Sequence, residues 1–150
     1  MMMLHRCVAW YAAACRLLDR LQPLFALAAR IYLARVFLLA GLTKLRDWDV
    51  TLLLFTEEYH VPLLPPGVAA VAGTVTELFF PVLLLFGLGG RVAALVLFVF
   101  NTVAVISYPG LEAVEIKDHV LWGVLLMYLV VHGTGTWSLS RWVGRGSTSR

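Results

Sequence analysis

The chain has 150 residues, of which 61% are hydrophobic and 14% charged, and its mean hydropathy of +0.85 excludes an ordinary soluble domain in favour of an integral membrane protein. Its formal charge of +3 does not point to nucleic acid, because the basic residues sit at the chain ends beside apolar blocks rather than on a basic surface studded with aromatics. The two cysteines, Cys7 and Cys15, form no Cys-x-x-Cys, which disfavours a membrane thiol oxidoreductase.

The apolar residues collect into four blocks, each long enough at about 1.5 Å per residue to approach the ~30 Å core of a bilayer. Runs such as ALVLFVF lack the period-two alternation of a membrane β-barrel, so helices are expected. The predicted fold is all-α: a four-helix transmembrane bundle with an N-terminal interfacial amphipathic helix, forming one membrane domain over residues 1–150.

In chain order, residues 4–22 place Val8, Tyr11, Cys15 and Leu18 toward one side and Arg6, Arg16 and Arg20 toward headgroups, the pattern of an interfacial helix. Pro23 suits the first turn of a new helix, and the first span is expected over about 24–43, with Arg30 and Arg35 inside it. In the connection 44–67, Asp49 is placed to cap a short helix through Phe55, and VPLLPPG ends it. The second span is expected over 68–88, the GLGGR turn leads directly into a third over 92–108, and Pro109-Gly110 closes that one. The fourth apolar block, about His119 to Val131, makes only about 20 Å of helix, so the fourth span, about 115–132, is expected to start earlier than the block, near Ala113. Trp137, Arg141 and Trp142 read as interfacial anchors of the tail.

Lys and Arg set the expected orientation. Arg6, Arg16, Arg20, Arg91, Arg141, Arg145 and Arg150 fall on one side, against Lys44, Arg46 and Lys117 on the other, so both termini are expected in the cytoplasm.

The centre of this pattern is GTVTELFFP, which puts Glu77 in the middle of an apolar run of about twenty residues. A charge at a helix centre costs roughly 2.5–3.5 kcal/mol on translocon-type scales, so such a group faces the bundle interior and pairs there. Pro81 has no N–H to offer the carbonyl of Glu77, which adds a free acceptor beside the carboxylate. Judged by the ends of the predicted spans, Arg35, Glu77 and Asn101 share one depth, and the arginine fork can serve both the carboxylate and the amide. Arg30 lies nearer the cytoplasm, where it can snorkel or extend the cluster. Two readings of this cluster stand side by side: an ion pair that specifies helix packing, and a polar pocket for a quinone, proton or anionic ligand.

On the outer side, Glu57, Glu58, His60, Glu115, Asp118 and His119 supply donors, but no spacing among them fixes a metal, and no metal site is predicted. His119 and His132 are separated by about 20 Å of helix and cannot ligate one haem iron. The absence of a phosphate loop, of Gly-x-Gly-x-x-Gly and of Gly-x-Ser-x-Gly disfavours a nucleotide-dependent or hydrolytic enzyme.

Arg30, then Gly41 and Lys44 in LLAGLTKL, then Glu77, GLGGR and a final HGTG-x-WSLS resemble the DoxX family of bacterial four-helix membrane proteins over about residues 28–140. RDWD followed by EYHVPLLPP is similar to the subset found beside genes of peptide-maturation and metal-stress clusters. The resemblance implies a bacterial inner-membrane protein, linked in some members to quinone-coupled sulfur oxidation or membrane redox complexes, and in many to no established reaction. It places the family's charged residues on Arg30, Lys44 and Glu77. It also implies a protein partner, since thiosulfate-oxidising relatives work with a second subunit. Two functions follow as expectations. One is a redox-associated subunit with a mid-membrane quinone pocket walled by Tyr32, Trp122 and Tyr128. The other is a non-enzymatic assembly, export or cargo- and metal-handling partner that works through the loop 44–67 and the acidic 112–118 turn.

Overall fold

The computed structural model describes residues 2–133, 135 and 138, and all the secondary structure among them is helical. The order is α1 (Met2–Arg46), α2 (Trp48–Glu57), α3 (Pro66–Phe86), α4 (Gly90–Ser107) and α5 (Ala113–His132). Trp137, Arg141 and Trp142, expected as tail anchors, lie outside the described residues.

The helix ends follow from local chemistry. Pro66 occupies the first turn of α3, where a missing N–H removes no helical bond. Gly87 ends α3 at φ 68° and Gly89 opens α4 at φ 62°, left-handed values that glycine adopts without strain, so two spans join through three residues. Glu112 and Glu115 form a reciprocal capping box that starts α5 at Ala113, where the lengthened fourth block was expected to begin. Asp47, not Asp49, caps α2: its Oδ1 accepts from the Val50 amide at 3.0 Å, while Asp49 sits in the first turn, favourably placed against the helix dipole.

One correction is large. Pro23 does not begin a new helix; it lies inside a single helix of 45 residues that runs from Met2 to Arg46. The carbonyl that Pro23 leaves without a donor belongs to Asp19, on an exposed turn where other donors can reach it, so the interruption is survivable. Along the N-terminal part Trp10, Tyr11, Leu17 and Leu18 are exposed and Cys15 is half-buried.

Among the described residues, three helical stretches are long and apolar enough to cross a membrane: Trp10–Arg46, Pro66–Phe86 and Gly90–Ser107. The first is about 55 Å long at 1.5 Å per residue and must extend well past a ~30 Å core. α5 has comparable length but carries Glu115, Lys117 and Asp118 in its first two turns.

Packing is antiparallel: α1 lies chiefly on α3, α3 on α4 and α4 on α5, while α2 rests against the start of α3. On α3 the buried positions Ala69, Ala70, Gly73, Thr74, Glu77, Pro81 and Leu84 recur every three or four residues, and Val71, Val75, Phe79, Val82 and Phe86 point outward. Lipid tails are as apolar as leucine, so helices associate in a membrane through close packing, and small residues at the contacts permit it. Ala26, Ala29, Ala93 and Ala94 do so around Leu33, Leu84, Leu97, Leu126 and Leu129, which are fully buried.

Candidate functional site

The register of α1 on α3 is set at Gly41. A β-carbon there would lie 2.9 Å from the Leu78 side chain and 3.0 Å from Cβ of Glu77, so only glycine admits this approach without a shift. One turn later on α1, Lys44 Nζ donates to both carboxylate oxygens of Glu77, at 2.7 Å to Oε1 and 2.6 Å to Oε2. The carboxylate is buried and the ammonium half-buried, 7% and 21% exposed by side chain, so the pair is shielded from bulk water yet not sealed.

A second polar pair joins α4 to α5. Asn101 Nδ2 donates to the backbone carbonyl of His119 at 2.9 Å, and because that oxygen can only accept, the amide orientation is fixed. The Asn101 Oδ1 therefore faces His119 Nδ1, 2.7 Å away, as an acceptor, and Nδ1 carries the proton. In the neutral imidazole this leaves Nε2 as a free-standing base. Trp122 holds the ring edgewise, with centroids 4.7 Å apart.

Both pairs line one cavity of about 420 Å³, walled by Phe37, Phe55, Phe100 and Trp122. That size lies within the range of small-molecule sites, roughly 300–1,000 Å³. The segment after α2 borders its outer end with Tyr59, Val61 and Leu64, across from Tyr108 and Leu111. It is tied down by the His60 amide, which donates to the Ser107 carbonyl at 2.7 Å. Tyr59 packs edgewise on Phe55 and on Tyr108, at centroid distances of 4.9 and 5.1 Å. Burial, followed by the neighbouring Tyr108 and Glu58, pushes the Tyr59 phenol above its ordinary range. For Tyr108 the first cause of an upward shift is the negative charge of the neighbouring Glu58 carboxylate. Both phenols therefore stay protonated donors at neutral pH.

The expected Arg35–Glu77–Asn101 cluster does not form. Arg35 is exposed on the outward face of α1 beside Ile31, Tyr32 and Leu39. The depth argument failed because it took the first span to end at residue 43. In the real register Gly41 stands against Glu77, which puts Arg35 six residues, about 9 Å, back toward the N-terminal part of α1. Arg30 is 2% exposed and does not line the cavity. Its Nε donates to the Leu84 carbonyl at 2.9 Å and its Nη2 to that of Leu85, so it caps the last turn of α3, where the dipole favours a cation. Trp122 is a cavity wall as expected, but Tyr32 only accepts its indole N–H at 3.2 Å, and Tyr128 packs near the end of α5 on Phe25 and His132.

Among the outer residues, Glu115 serves the α5 cap and reaches the cavity lining, His60 turns toward the Glu58 carbonyl at 3.0 Å, and Glu57 and Asp118 are exposed. Sequence reasoning missed Ser107, Tyr59 and Tyr108 as lining residues. It reached Lys44 only by resemblance, although a glycine three residues before a lysine at a span end signals a close approach that brings the lysine inward.

No curated protein and no solved structure matches the chain. The model of the DoxX family matches residues 25–109, a stretch that contains Arg30, both members of the Lys44–Glu77 pair and Asn101. That match covers more than half of the chain, and with it the helices that build most of the cavity: the chain belongs to the DoxX family.

Proposed function

We propose that this chain is a multi-pass subunit of a bacterial inner membrane whose cavity receives the ring of a quinone or quinol from the bilayer. The observation that carries the reading is the convergence of the Lys44–Glu77 and Asn101–His119 pairs on one aromatic-walled space. A quinone offers carbonyl acceptors, which the Lys44 ammonium can serve; a quinol offers O–H donors, which Glu77 and Nε2 of His119 can accept. Glu77 and His119 are also groups that can hold or pass a proton, so the same wall fits both forms of the ligand. The redox chemistry itself is assigned to a second subunit, with this chain supplying the site in the membrane.

In this reading α5 is a fourth span, its acidic first turns lie at the outer surface, and both termini are cytoplasmic, so the cavity sits in the outer half of the bilayer. The stretch before Pro23 lies along the inner surface or reaches beyond it. The test is purification in a mild detergent followed by solvent extraction and chromatography for quinones. The expected result is co-purifying quinone that is depleted in Glu77→Gln. Protein that retains none, and takes up none when decylubiquinone is added, would sink the proposal.

A second reading, a non-enzymatic assembly, export or cargo-holding partner, has one observation in its favour. Leu63 is fully exposed at the tip of the outer segment and holds φ 67°, an unfavourable conformation for a residue with a β-carbon. A pull-down from native membranes that recovers a specific protein with wild type but not with Leu63→Ser supports it.

A further inference from the structure

We infer that Ser107 is a ligand-contacting residue that hydrogen-bonds the outer oxygen of a ring ligand carrying oxygen atoms at two opposite ends, the inner oxygen being met by the Lys44–Glu77 and Asn101–His119 pairs. The inference rests on the cavity being a ligand site and adds the shape and polarity of what enters it.

The argument begins with hydroxyl groups in helices. A serine or threonine whose side chain has no better partner bonds the carbonyl four residues earlier. Thr43, Thr51, Thr56, Thr74 and Thr102 all do so here, at 2.8 to 2.9 Å. Ser107 does not. It is 3% exposed, and its Oγ is the buried side-chain polar atom left without a partner among the described residues. An orphan hydroxyl in an apolar setting is unfavourable, and alanine is the comfortable residue for such a place. Ser107 lines the cavity, so the partner its hydroxyl lacks has somewhere to be.

Position defines that partner further. Ser107 is six residues from Asn101 on α4, about 9 Å along the axis, so the two polar ends of the cavity are separated by roughly one ring and its substituents. Between them the walls are Phe37, Phe55, Phe100 and Trp122, surfaces suited to the faces and edges of a flat ring. A ligand with a single polar head would leave Ser107 unmatched. The main chain of Ser107 is already engaged by His60, which fixes the residue in place while leaving its hydroxyl free to rotate.

The test uses the purified full chain in detergent, following quenching of tryptophan fluorescence by two probes: decylubiquinone, with oxygens at both ends of its ring, and 4-decylphenol, with one. Ser107→Ala should weaken decylubiquinone about threefold to tenfold, the worth of one neutral hydrogen bond, while leaving decylphenol affinity unchanged. Ser107→Thr, which keeps the hydroxyl, should restore most of the loss. Ligand-free Ser107→Ala should melt no lower than wild type, because the free protein loses no bond. If wild type binds decylubiquinone and Ser107→Ala binds it equally well, or weakens both probes alike, the role of Ser107 is overturned while the cavity remains a quinone site. A lower melting temperature of ligand-free Ser107→Ala also overturns it, since the hydroxyl then serves the fold. Wild type that binds no decylubiquinone overturns the quinone reading itself, and this inference with it.

Discussion

Arg30 and Lys44 leave the same helix, α1, toward the same neighbour, α3, yet the protein treats the two cations in opposite ways. At the close of α3 Arg30 is enclosed by packed side chains, and its guanidinium is answered by backbone carbonyls. Near the C-terminal end of α1 Lys44 is answered by another side chain, Glu77, and the pair looks onto open volume. A cation held by carbonyls cannot exchange its partner without undoing a helix end. A cation held by a carboxylate beside a cavity can share either group with a ligand. Burial of charge alone therefore does not mark a site; burial beside room does.

The comparison can be broken at Arg30 first. Arg30→Met should remove the charge-assisted bonds to the Leu84 and Leu85 carbonyls, among others, and expose the end of α3, at a cost on the order of 3–5 kcal/mol, and should abolish monodisperse protein in size-exclusion chromatography. Arg30→Lys should rescue little, because an ammonium cannot span two carbonyls as the planar fork does. Folded Arg30→Met at wild-type yield would show that this cation is dispensable.

A smaller effect is expected where the two ends are joined in register. Gly41→Ala drives a methyl group into the Leu78 side chain and Cβ of Glu77, and overpacking of this kind costs roughly 1–3 kcal/mol. Because the neighbouring contact is partly the backbone-proximal Cβ of Glu77, relief must come from separating α1 and α3, which also lengthens the Lys44–Glu77 bond. The variant should lose several degrees of melting temperature and bind quinone less well. A variant with an unchanged melting temperature would mean the helices are not held at this distance.

The same comparison explains how much was legible beforehand. An isolated glutamate in an apolar run demands a partner, so Glu77 was identifiable from chemistry alone, and the ends of α3 and α4 followed from Pro66, Gly87 and Gly89. The partner was not identifiable, because it depends on the sliding register of two helices, and that is set by one close contact at Gly41 rather than by any periodic signal. Pro23 reinforced the error: read as a helix start it shortened the first span and moved its centre to Arg35, whereas the helix runs through it. His119 was seen as an outer donor and Asn101 as a mid-membrane amide. Their union follows from α4 and α5 being joined by a short turn and packed antiparallel, which aligns the end of one with the start of the other. Ser107 carries no signal in the sequence, since what distinguishes it is full burial without a bonding partner, and that is a property of the fold.

The smallest change in stability should accompany the largest change in function. Replacing a partly buried ion pair by apolar residues of similar volume is often neutral, whereas removing one partner is not. Lys44→Met with Glu77→Leu should therefore fold within about 1 kcal/mol of wild type, while Glu77→Gln alone should be the less stable protein. The decisive measurement is calorimetric titration of decylubiquinone into wild type and into this double variant, after both are shown to melt alike. Wild type should bind and the double variant should not, because the apolar wall no longer offers a donor and an acceptor to the ring oxygens. Equal affinity in the two proteins would contradict the account and leave Lys44 and Glu77 as determinants of helix packing alone.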